Sequence, residues 1–158
     1  MNKIQKGKGE KGFTIIEVVL VLAIAGLIFL MVFIALPALQ RNQRDTQRKN
    51  DLSRVQSAIN SYQANNRGNV PALGTASVAA SFISSYMTVG GDTFSDPSGT
   101  AYSFAAGTVG TLPTGDSNVI HFFASAKCNS ENTQAVNGAS KVAISMKLEG
   151  GGVYCLNN

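Results

Sequence analysis

Residues 11–37 read KGFTIIEVVLVLAIAGLIFLMVFIALP, and the part that decides the fold is Val18–Leu36. No residue in that run is charged or strongly polar. At about 1.5 Å rise per residue a helix of this length spans roughly 28 Å, close to the ~30 Å hydrocarbon core of a bilayer. The run is too long for the apolar region of a cleaved secretory signal, and no Ala-x-Ala site follows it. It reads as a retained membrane-spanning helix. Lys3, Lys6, Lys8 and Lys11 precede it, and Arg41, Arg44, Arg48, Lys49 and Arg54 follow. With basic residues on both flanks, loop charge leaves the orientation open.

Downstream, no turn signal interrupts the chain before Asn66, so residues 13–66 read as one long helix. Its second half is amphipathic. Leu52, Val55, Ile59 and Tyr62 recur at helical spacing with Ala58 beside them, a stripe suited to packing on a sheet. The mixed charges of Arg41–Arg54 read as a mostly solvated face, with Asp45 and Lys49 four residues apart as an ion pair. Gly26 and Pro37 are the two positions that loosen the helix, the proline by removing a hydrogen bond. Asn65-Asn66-Arg67-Gly68-Asn69-Val70-Pro71 ends it with a glycine cap followed by a proline. At full length such a helix reaches about 80 Å.

The remainder reads as a small α+β body. Val78, Phe82, Ile83 and Tyr86 make one face of a short helix over 75–87, with Thr75 or Ser77 as cap. Asp96-Pro97-Ser98-Gly99 is a turn signal. Tyr102 and Phe104 alternate with small or polar residues, and Val119–Ala124 is an apolar strand. Val142, Ile144, Met146 and Leu148 alternate strictly. With Gly150-Gly151-Gly152 and Val153–Leu156 they predict a hairpin.

The net charge of +4 is concentrated around the apolar segment. Residues 55–158 carry Arg67, Lys127, Lys141 and Lys147 against Asp92, Asp96, Asp116, Glu131 and Glu149. That body offers no basic face for nucleic acid. Cys128 and Cys155 permit one pairing, and if this part is exported a disulfide forms; the alternative is two buried thiols. His121, between Ile120 and Phe122, is expected as a partly exposed strand residue without a catalytic constellation. Ser81, Ser84 and Ser85 have no base nearby in sequence. Asp92 and Asp96 form a weak calcium candidate lacking a full set of oxygen ligands, and turn chemistry accounts for them more simply. No phosphate loop, zinc motif or catalytic triad is visible, so neither an enzyme nor a cofactor is expected.

The junction Lys11-Gly12-Phe13-Thr14-Ile15-Ile16-Glu17 closely resembles the class III signal of type IV pilins and type II secretion pseudopilins. That pattern is a short basic leader, then G-F-T-x-x-E, then an apolar helix. The exit through Asn66 also looks like that family, and Asp96-Pro97-Ser98-Gly99-Thr100-Ala101-Tyr102 weakly resembles a D-P-x-G-x-P-Y segment of the major pseudopilins. The resemblance implies a type IV pilin-like fold: a leader at 1–12, a membrane and filament-core helix at 13–36, an amphipathic half at 37–67, and a head at 68–158 with an antiparallel sheet. It implies cleavage between Gly12 and Phe13 by prepilin peptidase on the cytoplasmic side, methylation of the new Phe13 amine, and an N-in, C-out orientation. Implied partners are copies of the same chain in a helical filament, the pilus assembly platform protein and minor pilins. The membrane holds the subunit before assembly and the cell surface afterwards. The family often has a helix-loosening proline a few residues before the position of Pro37.

The physics of Glu17 agrees. A carboxylate in an apolar helix is costly, about 2.5–3.5 kcal/mol at mid-membrane on insertion scales and less near the interface. It either snorkels to the headgroups or finds a cation. The precursor has Lys11; after cleavage one subunit's Phe13 amine could meet the next subunit's Glu17. Gly26, Ala23 and Ala25 permit close helix approach in such a bundle. A pilus subunit is therefore the first expectation and a type II secretion pseudopilin the alternative.

Overall fold

The structure is a computed structural model and describes residues 12–158. The leader expected at 1–12 lies outside the described residues except for Gly12. The chain divides into two compact units, one ending at Ala38 and the other spanning Leu39–Asn158.

Helix α1 runs Ile15–Asn65 and passes through Pro37. In the first unit its apolar side chains have no cover: Val18 is 48% exposed, Leu27 60% and Ile34 72%.

In the second unit α1 behaves as its stripe dictates. Leu52, Val55, Ala58 and Ile59 are buried, and Tyr62 packs at the edge of the same cluster. The helix ends in a Schellman arrangement, with the Gly68 N–H donating to the Gln63 carbonyl at 2.8 Å. Arg67 shares the left-handed region with Gly68, at φ 56° and 82°.

Helix α2 covers Ala76–Phe82 and continues as a π-helical turn, Ile83–Met87. Thr75 stands at its N-cap without a side-chain hydrogen bond. Val89–Gly91 forms a 3-10 turn.

Six strands follow: β1 Ser103–Ala106, β2 Val119–Ala124, β3 Ala126–Asn129, β4 Asn132–Ala135, β5 Val142–Lys147 and β6 Val153–Asn157. The main sheet has the order β1-β2-β5-β6. Strands β2, β5 and β6 are antiparallel neighbours, with Ile144 opposite Phe122 on one side and Leu156 on the other. Strand β1 departs from the expected pattern and pairs parallel to β2, Phe104 opposite Ile120. Residues 107–118 make the long crossover that a parallel pair needs.

Both faces of this sheet are covered. Ile120, Phe122, Val142, Ile144 and Met146 join the α1 stripe in the main core. Phe123 and Ala143, pointing the other way, pack with Ala126 in a smaller cluster. Strands β3 and β4 form a separate antiparallel pair.

Candidate functional site

Two sets of residues carry the chemistry. The first surrounds the start of α1. Gly12, Phe13 and Thr14 precede the helix, and Phe13 is 89% exposed. Nothing within 4 Å would meet a Cβ at Gly12. The Gly12–Phe13 peptide is therefore open to an approaching protein.

Thr14 and Glu17 form a reciprocal capping box. The Thr14 backbone N–H and hydroxyl each donate to Glu17 Oε2 at 2.9 Å, and the Glu17 N–H donates to Thr14 Oγ1 at 3.3 Å. Sequence reasoning weighed headgroups, the precursor's Lys11 or a neighbouring subunit's amine for Glu17. It missed this partner, although Thr14-Ile15-Ile16-Glu17 is a T-x-x-E signature before an apolar run. The capping bonds satisfy the carboxylate in part, from donors of its own chain, and bring no positive charge to it. Lys11, the precursor's candidate cation, lies outside the described residues. A Cβ at Gly26 would meet nothing within 4 Å, so that face of α1 is clear for another helix.

The second set lies within the Leu39–Asn158 unit and supplies the exceptions to the mostly solvated reading of Arg41–Arg54. Asp45 is 6% exposed and Arg48 3%. The Arg48 guanidinium donates from Nε to Asp96 Oδ1 at 2.6 Å and from Nη2 to Oδ2 at 2.9 Å, a bidentate pair. Its Nη1 reaches Asp45 Oδ1 at 2.9 Å and Glu149 Oε2 at 3.1 Å. Arg44 holds Glu149 through Nε at 2.8 Å and Nη2 at 2.5 Å. Asp45 in turn accepts the backbone N–H groups of Glu149 at 2.9 Å and Gly150 at 2.7 Å. Asp45 thus pairs with Arg48 rather than Lys49, whose ammonium sits 5.5 Å from the Tyr154 ring centroid.

The electrostatics follow from these contacts. Hydrogen bonds from Arg44 and then Arg48 hold the Glu149 carboxyl down at about 2. Burial pushes Asp96 upward, but the bonds from Arg48 and from Ser98 outweigh it and leave the group below its ordinary value. The Arg48 guanidinium is raised, chiefly by Asp96. Tyr102 is pushed up by burial and by the Asp51 carboxylate that accepts its hydroxyl at 3.0 Å.

This geometry also bears on the weak calcium candidate, Asp92 and Asp96. Asp96 faces Arg48, and Asp92 faces Arg54 with Nη2 to Oδ2 at 2.5 Å. Each acid has a guanidinium partner, which opposes a second cation at the same oxygens. Among the described residues no group of three or more His, Cys, Asp or Glu side chains is placed to hold a metal.

Cys128 on β3 and Cys155 on β6 are joined as a disulfide with Cα atoms 5.8 Å apart. His121 is buried, not partly exposed, and its Nε2 lies 2.9 Å from the Thr114 carbonyl. Ser84 donates to the Ser81 carbonyl at 3.0 Å, a local helix bond with no base involved.

Residues 7–33 match the family model described as the prokaryotic N-terminal methylation motif. The chain therefore carries the class III signal of type IV pilins and pseudopilins. That motif heads the pilin-like prepilins, and the α+β arrangement of a long, partly apolar helix with a small sheet is consistent with their fold. Comparison with curated proteins and with solved structures gives no match.

Proposed function

We propose that the chain is the precursor of a type IV pilus subunit, cut between Gly12 and Phe13 by a membrane peptidase and packed by its apolar helix into an extracellular filament. One observation carries the reading. Through the methylation motif of residues 7–33 and just beyond it, α1 presents large apolar side chains on all sides, from Ile15 at 83% exposure to Leu39 at 55%. Such a surface belongs in lipid or in a bundle of like helices, and moving between the two takes packing and polar pairing rather than new hydrophobic burial.

Glu17 supplies the polar pairing. Removing residues 1–12 frees a Phe13 amine, the site of N-methylation. In staggered copies that amine meets a neighbour's Glu17, adding the positive charge that the capping box lacks. A shielded pair favours one register, and leaving either charge alone costs several kcal/mol. Gly26 permits close approach, and Gly26 and Pro37 are where the helix loosens in the filament. The subunit waits in the membrane N-in and C-out, and the assembly platform protein and minor pilins act on it there.

A second reading, a pseudopilin of a type II secretion system, is favoured by the Asp96–Gly99 turn. The Cys128–Cys155 disulfide favours the pilus subunit.

The test combines mass spectrometry with two variants. Sheared surface fibres are expected to contain a chain beginning at methylated Phe13. Glu17→Gln and Glu17→Ala are expected to reach the membrane normally yet yield few or no fibres. Normal fibre yield from both variants sinks the Glu17–Phe13 pairing. Cleaved protein confined to the envelope favours the pseudopilin. A native protein that keeps residues 1–12 and never polymerises overturns the proposal.

A further inference from the structure

The Arg48 cluster joins three segments far apart in the chain. Arg44, Asp45 and Arg48 come from α1, Asp96 from the turn of residues 95–101, and Glu149 with the Gly150 amide from the turn between β5 and β6. Each turn is otherwise held by its own short bonds. The first closes through Asp96 N–H to the Thr100 carbonyl at 2.8 Å and a bridge between Ser95 and Ala101. The second closes through Leu148 N–H to the Gly152 carbonyl at 3.1 Å and contains three consecutive glycines. Ser98, Gly99 and Thr100 are exposed, as are Gly150, Gly151 and Gly152. Neither turn tip has an apolar anchor of its own.

We propose that Arg48 and its carboxylates form a latch that holds both turns against α1, and that loss of the Asp96 charge opens this region while the β3–β4 hairpin stays closed. The guanidinium is the hub because two of its nitrogens are committed to Asp96, whose side chain is 1% exposed, and a third is shared by Asp45 and Glu149. With Asp96 neutral, its side chain keeps one accepting oxygen, so one of Nε and Nη2 becomes a buried donor lacking an acceptor, a state that favours local opening. The hairpin is fastened separately by the disulfide.

Acid reaches the latch through a cavity of about 610 Å³ whose lining includes Arg44, Arg48, Asp96, Asp116 and Glu149. The titratable and charged groups facing Arg48 are Asp45 and Arg44 on α1, Asp96, Glu149, and Asp116 across the cavity. Asp51 and the Tyr102 hydroxyl adjoin them. The Asp96 and Glu149 carboxyls are both held below their ordinary values, so the latch stays shut at neutral pH and opens only as pH falls below the ordinary carboxylate range. The latch operates within one subunit and does not depend on polymerisation.

The test uses the full chain in detergent micelles. At pH 7, Asp96→Asn is expected to raise amide hydrogen exchange about tenfold or more at residues 96, 149 and 150, leaving Lys127–Gln134 unchanged. A uniform rise across both regions, or no rise, overturns the proposal. Should Asp96→Asn not fold, the unaltered protein still decides. Its Arg48 Nε–H cross-peak, from the donor to Asp96, is expected in nitrogen-edited NMR at pH 6 and should vanish in one step as pH falls below the ordinary carboxylate range, before the Lys127–Gln134 amides lose protection. A peak that disappears only together with the Lys127–Gln134 amide protection, or is already lost at pH 6, overturns it equally.

Discussion

Arg48 looks in the sequence like one more charge on a wet helix face. Its fate was settled by residues 48 and 101 positions away, Asp96 and Glu149. No local pattern announces that convergence, because helical spacing reports neighbours at three and four residues and nothing further. Burying a guanidinium is favourable only with its acceptors in place, so truncation leaves two buried acids without a counter-charge. Arg48→Ala is expected to lower the stability of the Leu39–Asn158 unit by about 3–5 kcal/mol, read as a shifted urea midpoint. Glu17 gives the opposite lesson. Its capping partner Thr14 is three residues away and was legible as T-x-x-E, but attention to the isolated charge hid the local bond.

At the scale of elements, α1 and the β5–β6 hairpin were legible because each is strongly periodic, and the structure places Leu52, Val55 and Ile59 against Val142, Ile144 and Met146 as those periods require. The β3–β4 pair was not. Its turn contains Ser130 in the left-handed region at φ 58° rather than glycine, so the usual hairpin signal is missing. Two strands alone are marginal in water, and here the pair is fastened by Cys128–Cys155, by the Cys128 N–H to Asn157 Oδ1 at 3.2 Å, and by Phe123 and Ala143 beneath Ala126. For cysteines 27 positions apart the chain-entropy model assigns the disulfide about 3.5 kcal/mol. Replacing both cysteines by serine is expected to lower stability by about that amount. Amide exchange should rise first in β3 and β4.

At the scale of the whole molecule, the two units have different solvents. The Leu39–Asn158 unit has its own core of Leu52, Ile59, Leu73, Ile120 and Met146, all at most 1% exposed. A fragment starting at Leu39 is expected to fold and remain soluble without detergent, whereas the full chain is expected to require it; circular dichroism and sedimentation check both. Acid should unfold that unit in a definite direction. Glu149 titrates at about 2 when folded and near 4.5 when unfolded, and Asp96 is also depressed. Between those values the unfolded chain binds more protons. Stability is therefore fully present above about pH 4.5 and declines as pH falls towards 2, which urea titrations at successive pH values would record.

The sequence by itself determined the long helix, its division into an apolar and an amphipathic half, the hairpin strands and the methylation motif. Each of these rests on neighbours close along the chain: a hydrophobic period, a length matched to a bilayer, a capping signature. Tertiary structure alone decided the parallel pairing of β1, the burial of His121 and the gathering of Asp45, Asp96 and Glu149 around Arg48. Those outcomes depend on which distant segments the folded sheet brings within hydrogen-bonding distance, and charges on a helix face do not reveal whether water or another segment will meet them.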